Sequence, residues 1–179
     1  MMVKFIKLRE EHLEQVLIWR TKENITKYMN TDIEYDLVQQ HKWFKHINES
    51  PTDRYWVISI KGKLVGVISL NDIDVTNRRT SWGYYIGEEK YQMYGAIIPL
   101  YLYYYVFEEL QLHKITAEVM KENENVVKLN KMHGCREVGT FYDHVYKNGR
   151  FYDVVLMELL KEDWRQKKRN FKYKANFEQ

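Results

Sequence analysis

The spacing of apolar residues changes several times along the chain, and each change marks a new element. Alternating apolar and polar positions are typical of a strand with one buried face, whereas apolar positions three or four residues apart are typical of a helix. The first half therefore predicts one strand, two helices and a three-stranded meander, with a hairpin turn at residues 61–63. These elements cover residues 3–8, 10–20, 36–48, 54–60, 64–74 and 81–86.

The second half opens with a segment that is apolar around a wide arc, which predicts a largely buried helix. Three strands and one helix follow, with Gly134 where glycine commonly ends a helix and Asn148 and Gly149 forming a tight hairpin. These elements cover residues 95–110, 114–120, 125–133, 137–145 and 151–160. The order β-α-α-β-β-β-α-β-α-β-β predicts an α/β fold with a mixed, mostly antiparallel sheet of about seven strands and helices on both faces.

Composition places the chain among globular proteins of one domain. Its 179 residues are 45% hydrophobic and 30% charged, which excludes a disordered chain. No apolar run reaches the ~18–20 residues of a membrane span, and the first residues form no signal-peptide core, so we expect a cytoplasmic protein. Cys135 is the single cysteine, which excludes an intramolecular disulfide framework, and the six scattered histidines lack ligand spacing, so no metal is expected.

The charge pattern separates the last residues from the rest. The net charge is only +3, and basic residues cluster between Arg165 and Lys174. We therefore expect one domain over residues 1–164 and a basic C-terminal tail over residues 165–179. No basic stripe runs through the body of the chain, so neither nucleic acid nor a membrane is expected as a partner. Edge strands and a tyrosine-rich surface permit a homodimer.

A glycine-containing turn before the apolar helix is the first candidate for chemistry. A turn of this kind at a helix N-terminus presents free backbone N–H groups and partial positive charge, which suit a pyrophosphate. The turn lacks both the Lys-Ser/Thr ending of a nucleoside-triphosphate loop and the three-glycine dinucleotide fingerprint. Taken alone, one glycine indicates no more than a tight turn. The segment consists of Gln92, Met93, Tyr94, Gly95, Ala96 and Ile97.

This turn and the order of the elements resemble the GNAT superfamily of acetyl-CoA-dependent N-acetyltransferases. The pyrophosphate loop of that family reads Arg/Gln-x-x-Gly-x-Gly/Ala, which Gln92 and Gly95 match and Ile97 does not. The family also places an asparagine before its last helix and Gly-Phe after that helix. Asn123 and Gly134 match this second motif, with Cys135 in place of the phenylalanine.

The resemblance implies that strands 82–86 and 114–120 splay apart and hold acetyl-CoA between them, with the pantetheine arm paired to the first strand. The implied cofactor contacts are Trp82, Tyr84, Tyr85, Ile86, Gln92, Met93, Tyr94, Gly95, Ala96, Ile97, Asn123 and Asn130. Many relatives carry a tyrosine, acting as acid toward the leaving thiolate, where this chain has Asn130. Asparagine cannot donate a proton at neutral pH, which leaves water, Tyr94 or unaided departure of the thiolate.

Several short motifs resemble, in order, the N-acetyltransferases of pseudaminic acid biosynthesis. They include Trp19–Arg20, His41 with Phe44, and residues 146–149. That family acetylates the 4-amino group of UDP-4-amino-4,6-dideoxy-N-acetyl-β-L-altrosamine. The resemblance implies that Arg20, His41 and Tyr85 contact the nucleotide and that Met29, Phe44 and Glu118 contact the sugar.

The implied residues suit such a substrate chemically. Arg20 and His41 could donate charge-assisted hydrogen bonds to a diphosphate. The transfer itself needs a neutral amine and a group that takes its proton. Glu118 is the candidate for orienting the substrate and for the base, and Ser69 is a second candidate catalytic group. A backbone N–H on strand 82–86 is the expected oxyanion donor. No covalent intermediate is required, so Cys135 is assigned no chemistry.

Two other functions remain open from the sequence. A related acetyltransferase could act on a protein N-terminus, which needs an open groove, or on a polyamine, which needs converging carboxylates. Asp72, Asp74 and Glu118 could supply some of those carboxylates. A binding module that holds acetyl-CoA without catalysis is the more distant alternative, because Asn130 replaces the usual tyrosine.

Overall fold

Seven strands form one sheet, and helices connect them. The computed structural model describes residues 3–167, 174 and 176–179. The strands are β1 (Val3–Lys7), β2 (Arg54–Ile60), β3 (Lys63–Asp74), β4 (Arg79–Ile86), β5 (Lys114–Met120), β6 (Arg136–Lys147) and β7 (Arg150–Leu160). The helices are α1 (Leu13–Arg20), α2 (Glu23–Thr26), α3 (Leu37–Glu49), α4 (Ile98–Tyr104), α5 (Glu124–His133) and α6 (Lys161–Lys167).

The strand order across the sheet is β1-β2-β3-β4-β5-β7-β6. Every neighbouring pair is antiparallel except β4 and β5, which run parallel because the chain crosses over through α4 between them. The predicted mixed, mostly antiparallel sheet of seven strands is confirmed.

The parallel pair, β4 and β5, is joined over a short length only. Residues 79–81 are in register with residues 114–116, and the ladder ends there. Beyond that point β4 continues to Ile86 along β3, and β5 continues to Met120 along β7. Each strand keeps its other neighbour, so a gap flanked by unpaired backbone groups opens between the two.

Helices cover both faces of the sheet, as predicted. Adjacent residues of a strand point to opposite faces, and Val57 and Ile58 accordingly belong to different clusters of buried side chains. The face of Ile58 packs against α4 and the turn after it. The face of Val57 packs against α1 and α3. The helical residues buried in these two layers include Ile98, Leu102, Val106, Val16, Trp19 and Ile47.

The apolar segment predicted as one helix over residues 95–110 is divided in the structure. Residues 89–94 form a 3₁₀ turn, α4 begins only at Ile98 with Pro99 in its first turn, and residues 105–109 form a π-helical turn. Proline is favoured in a first turn, where its missing N–H costs nothing, and this explains the later start. Among the described helices, none is long and apolar enough to cross a membrane.

Helix α1 is anchored to the end of β4. The Trp19 indole N–H donates to Glu88 Oε1 at 2.7 Å, and Lys22 Nζ donates to the carbonyl of Gly87 at 2.8 Å. A Cβ atom at Gly87 would lie 2.1 Å from the Trp19 ring, so only glycine permits this approach. The contact places Arg20, at the end of α1, beside the gap between β4 and β5.

The last described residues pack against the core, beyond the predicted domain boundary after residue 164. Helix α6 runs across that boundary, and Trp164 is buried. The Phe5 N–H donates to Asn176 O at 3.0 Å, the Glu178 N–H donates to Phe5 O at 2.9 Å, and Phe177 stacks on Phe5 with ring centroids 4.0 Å apart. The rest of the predicted basic tail, residues 168–173 and 175, lies outside the described residues.

Replacing Phe177 with alanine tests this packing. The ring is 7% exposed and also contacts Trp56 and Tyr105, so its removal leaves a cavity and should lower the free energy of unfolding by about 3 kcal/mol. Phe151→Ala, at a ring that is 57% exposed, should cost less than about 1 kcal/mol. Urea unfolding measures both, and equal losses would contradict a buried C-terminus.

Candidate active site

A large cavity opens at the gap between β4 and β5 and extends to α1 and α3. Its volume is about 1020 Å³. One end is lined by the diverging strands and by α5. The other end is lined by α1, by the irregular segment of residues 28–36 and by α3. We call the part lined by the strands and α5 the cleft, and the part lined by α1, residues 28–36 and α3 the acceptor end, or chamber.

Most of the predicted cofactor residues lie in the cleft. The wall there contains Trp82, Tyr84, Tyr85, Ile86, Gln92, Gly95, Ala96, Asn123 and Asn130. Met93, Tyr94 and Ile97 do not line it, and Met93 is 78% exposed. These three side chains point away because the loop is wound as a 3₁₀ turn, in which successive side chains cannot all face one side.

The predicted pyrophosphate loop is more internally bonded than its sequence indicated. The Gly95 N–H donates to Gln92 O at 2.9 Å, and the Ile97 N–H donates to Tyr94 O at 3.0 Å. A Cβ atom at Gly95 would lie 3.1 Å from Gln92 O, which explains the glycine as a close approach within the turn. That this loop binds a pyrophosphate stays a prediction.

Two tyrosines of β4 line the cleft in neutral form. The Tyr84 ring stacks on Trp82 with centroids 5.5 Å apart, and its hydroxyl donates to Gly95 O at 3.2 Å, which ties β4 to the loop. Burial raises the pKa of Tyr84 to about 12. Burial also raises the pKa of Tyr85. Both hydroxyls therefore keep their protons at neutral pH.

Asn130 carries a buried oxygen without a partner. The residue is 1% exposed, its Nδ2 donates to Met157 Sδ at 3.7 Å, and its Oδ1 has no hydrogen-bond partner among the described residues. A buried carbonyl oxygen without a donor is costly in the free protein. Because Asn130 lines the cleft, a ligand N–H in that cleft could satisfy it, as the amides of a pantetheine arm would.

At the acceptor end the structure brings Arg20 and Met29 together. The Arg20 guanidinium donates from Nη1 to Thr26 Oγ1 at 3.2 Å and from Nη2 to Thr31 O at 2.8 Å. It therefore shapes the chamber wall as well as lining it. Nη2 also donates to Thr31 Oγ1 at 3.1 Å, so the Nε–H and one Nη1–H are the N–H groups without a partner among the described residues.

His41 and Phe44 do not line this chamber, although the resemblance placed them at the substrate. His41 is exposed, and its Nδ1 lies 2.7 Å from Leu37 O within the same helix. Phe44 packs against the sheet beside Trp43. The residues that do line the chamber at α3 and at its N-cap recur three or four positions apart, as residues on one side of a helix do. These are Asp36, Gln39, Gln40 and Trp43.

The two candidate catalytic groups, Glu118 and Ser69, line the same cavity but differ in their hydrogen bonding. Glu118 on β5 is exposed to it, and no described residue bonds or pairs with its carboxylate. Ser69 on β3 is 7% exposed and donates to Asn71 Oδ1 at 2.9 Å, while Asn71 Nδ2 donates to the Tyr55 hydroxyl at 2.8 Å. Ser69 is thus one member of a buried polar chain, and Glu118 is free to act on a ligand.

Several wall residues were not predicted from the sequence. Asn71 was detectable as a polar residue in an apolar strand, and Gln40 as a polar residue in phase with Ile47. Asp72 and Asp74, predicted as carboxylates for a polyamine, are absent from the wall, and Asp74 instead accepts from the Asn77 N–H at 2.8 Å. Other wall residues missed by the sequence include Glu34, Asp36, Trp43 and Tyr55.

The fold and this cleft define the class of the protein. A parallel strand pair that separates after three residue pairs, with a helix-flanked cleft between the strands, is the arrangement of acyl-CoA-dependent N-acetyltransferases. Residues 3–136 match the family model described as "Acetyltransferase (GNAT) domain", so the chain belongs to the GNAT acetyltransferases. It is an acyl-CoA-dependent enzyme, and acetyl-CoA is its acyl donor.

Three known proteins illustrate the range of this family. YdaF of Bacillus subtilis, which carries the name of a ribosomal N-acetyltransferase, is 35% identical over 58% of this chain and 57% of its own length. Acetyltransferase PseH of Campylobacter jejuni is 23% identical over 86% of this chain and 91% of its own. The fold also matches a crystal structure of spermidine N-acetyltransferase from Vibrio cholerae with CoA and spermine, with a TM-score of 0.84. That alignment covers 91% of this chain and 98% of the other, and the two sequences are 22% identical.

Replacing Asn130 with leucine tests whether its free oxygen serves the cofactor. The change removes a buried polar group that lacks a donor, so the free energy of unfolding should stay equal or rise. The Kd for CoA should rise about two- to tenfold, which is the loss of one hydrogen bond. Calorimetric titration measures the affinity and urea unfolding the stability. Lower stability with unchanged affinity would assign Asn130 to packing alone.

Proposed function

We propose that this enzyme transfers the acetyl group of acetyl-CoA to the 4-amino group of a UDP-amino-dideoxy sugar, by direct attack of the amine on the thioester. The size and continuity of the cavity carry the proposal. Small-molecule sites are typically ~300–1,000 Å³, and this cavity of about 1020 Å³ has room for a nucleotide sugar beside the acyl group. The match to acetyltransferase PseH over 86% of this chain and 91% of its own length agrees with the resemblance of the short motifs to the N-acetyltransferases of pseudaminic acid biosynthesis.

The acceptor end offers groups suited to each part of such a sugar. Arg20 supplies a positive charge for the diphosphate. Met29 supplies an apolar contact for the 6-deoxy methyl group. Trp43 and Tyr55, packed edge to face at 5.3 Å, offer aromatic surface to the nucleotide base. All four side chains line one chamber.

The residues around the cleft suggest how the transfer proceeds. Acetyl-CoA supplies the acetyl group as a thioester. Glu118 takes the proton of the attacking amine, directly or through water, because its carboxylate faces the cavity without a partner among the described residues. Unpaired N–H groups of residues 82–86 stabilise the oxyanion. Asn130 has no proton to give and Tyr94 lies outside the wall, so the proton needed at sulfur comes from water.

A polyamine is the second candidate acceptor, and a specific observation favours it. Three carboxylates line the cavity, those of Glu34, Asp36 and Glu118. Among the described residues of its wall, Arg20 is the one with a guanidinium group, so negative side chains outnumber positive ones. Cationic amines pair with carboxylates, whereas a diphosphate is repelled by them. Asp36 is partly engaged, because its Oδ1 accepts from the Val38 and Gln39 N–H groups at the start of α3. Glu34 is therefore the residue that best distinguishes the two acceptors.

An assay of CoA thiol release decides between the acceptors. The enzyme is supplied with acetyl-CoA and with a UDP-4-amino-4,6-dideoxy sugar, spermidine or an N-terminal peptide in separate reactions. We expect release with the sugar and none with the other two, and an unchanged KM for the sugar in Glu34→Gln. Release with spermidine alone, together with a raised KM in Glu34→Gln, would establish the polyamine function instead.

Replacing Glu118 with glutamine tests the proposed base. Glutamine keeps the shape and loses the proton acceptor, so kcat should fall about a hundredfold or more. The Kd for CoA should not change. Glu49→Gln is the control, because that carboxylate is 67% exposed at the far end of α3. A normal kcat in Glu118→Gln at saturating acceptor would contradict this role and would mean that water takes the proton of the attacking amine without Glu118.

A further inference from the structure

A lysine that the transfer chemistry does not use lies buried at the end of β6. The side chain of Lys147 is 3% exposed. Lysine is almost never buried to this degree without a partner, since moving an ammonium group out of water is costly. The surroundings of Lys147 must therefore supply compensating contacts.

The hydrogen-bond and ion-pair partners of the Lys147 ammonium group lie on one distant stretch of chain, residues 26–32. Its ammonium group donates to Thr26 O, to Met29 O at 3.0 Å and to Asp32 Oδ1 at 2.8 Å. An ammonium group has three N–H donors, so these partners satisfy it completely. More than a hundred residues of chain separate Lys147 from them. The lysine thus joins the β6–β7 hairpin to the segment after α2.

This segment has little structure of its own. Residues 27–36 contain no helix or strand. Besides Lys147, Arg20 holds the segment by donating to Thr31. The Thr26 hydroxyl donates to Asp32 Oδ1 at 3.1 Å, and the Tyr35 hydroxyl donates to Glu14 Oε1 at 3.2 Å. The hydrogen bond from Lys147 also holds the pKa of Asp32 below its usual value, so that carboxyl group stays charged at neutral pH. Two cations outside the segment, Arg20 and Lys147, thus hold residues 29–32.

The same segment forms the wall of the acceptor end. Met29, Asn30 and Thr31 line the chamber, whereas Lys147 itself does not. We propose that Lys147 is a positioning residue that sets the shape of the acceptor end and thereby the affinity for the amine substrate. It acts through Met29 and Asp32 and leaves the acetyl-CoA cleft unaffected. This proposal rests on the proposed function only in taking that chamber as the place where the amine binds.

The test is Lys147→Met, which keeps the length of the side chain and removes its charge and donors. With the acceptor that the enzyme turns over, KM for that acceptor should rise about tenfold. The KM for acetyl-CoA should be unchanged. Lys128→Met is the matched control, since that lysine is 69% exposed and paired with Glu124 on α5. Equal increases in both KM values, or none, would overturn the proposal.

A second variant tests the proposal if Lys147→Met fails to fold, and a second measurement tests it without knowledge of the acceptor. Asp32→Ala removes one partner of Lys147 at a side chain that is 43% exposed, so the fold should survive, and it should raise the same KM. Hydrogen exchange needs no acceptor. Peptides covering residues 26–32 should exchange faster in both variants, and peptides covering residues 82–86 should not. Unchanged exchange at residues 26–32 would overturn the proposal even if the sugar is not the substrate.

Discussion

The early end of the β4–β5 ladder is the constraint on which the rest of the site depends. A parallel pair can separate only if each strand keeps a full set of hydrogen bonds on its other edge. β3 supplies them for β4, and β7 supplies them for β5 along its whole length. The sheet thus remains stable around an opening, and backbone groups of residues 82–86 are left for a ligand. The cleft is a consequence of strand pairing, and side chains only refine it.

The two ends of the cavity are built by different physical means. The cleft is bounded by regular strands and α5, so its shape follows from backbone hydrogen bonds. The acceptor end is bounded by an irregular segment whose path is set by buried or half-buried cations, Arg20 and Lys147, bonded to its carbonyl and carboxylate oxygens. A site of this design can keep one donor substrate while a few changes in the segment alter the acceptor, which suits a family whose members act on different amines.

Much of the fold was predictable from the sequence. Strands and hairpins followed from alternation and from turn residues such as Gly62 and Gly149, and helices α1 and α3 followed from apolar positions three or four residues apart. The cofactor end was predictable in most of its residues because it lies on regular elements. The acceptor end was predictable only in part: Arg20 and Met29 line it, but His41 and Phe44 do not, because the side of α3 that faces the chamber depends on how that helix packs against the sheet.

The sequence by itself determined the order and type of the elements, since these depend on neighbours within a few positions. Only the tertiary structure decided three other features: where β4 leaves β5, how Phe177 returns to β1, and how Lys147 reaches Met29. Each of these joins residues far apart in the chain. Local patterns carry no information about such contacts, because the free energy that selects them arises from packing and charge pairing between elements already formed.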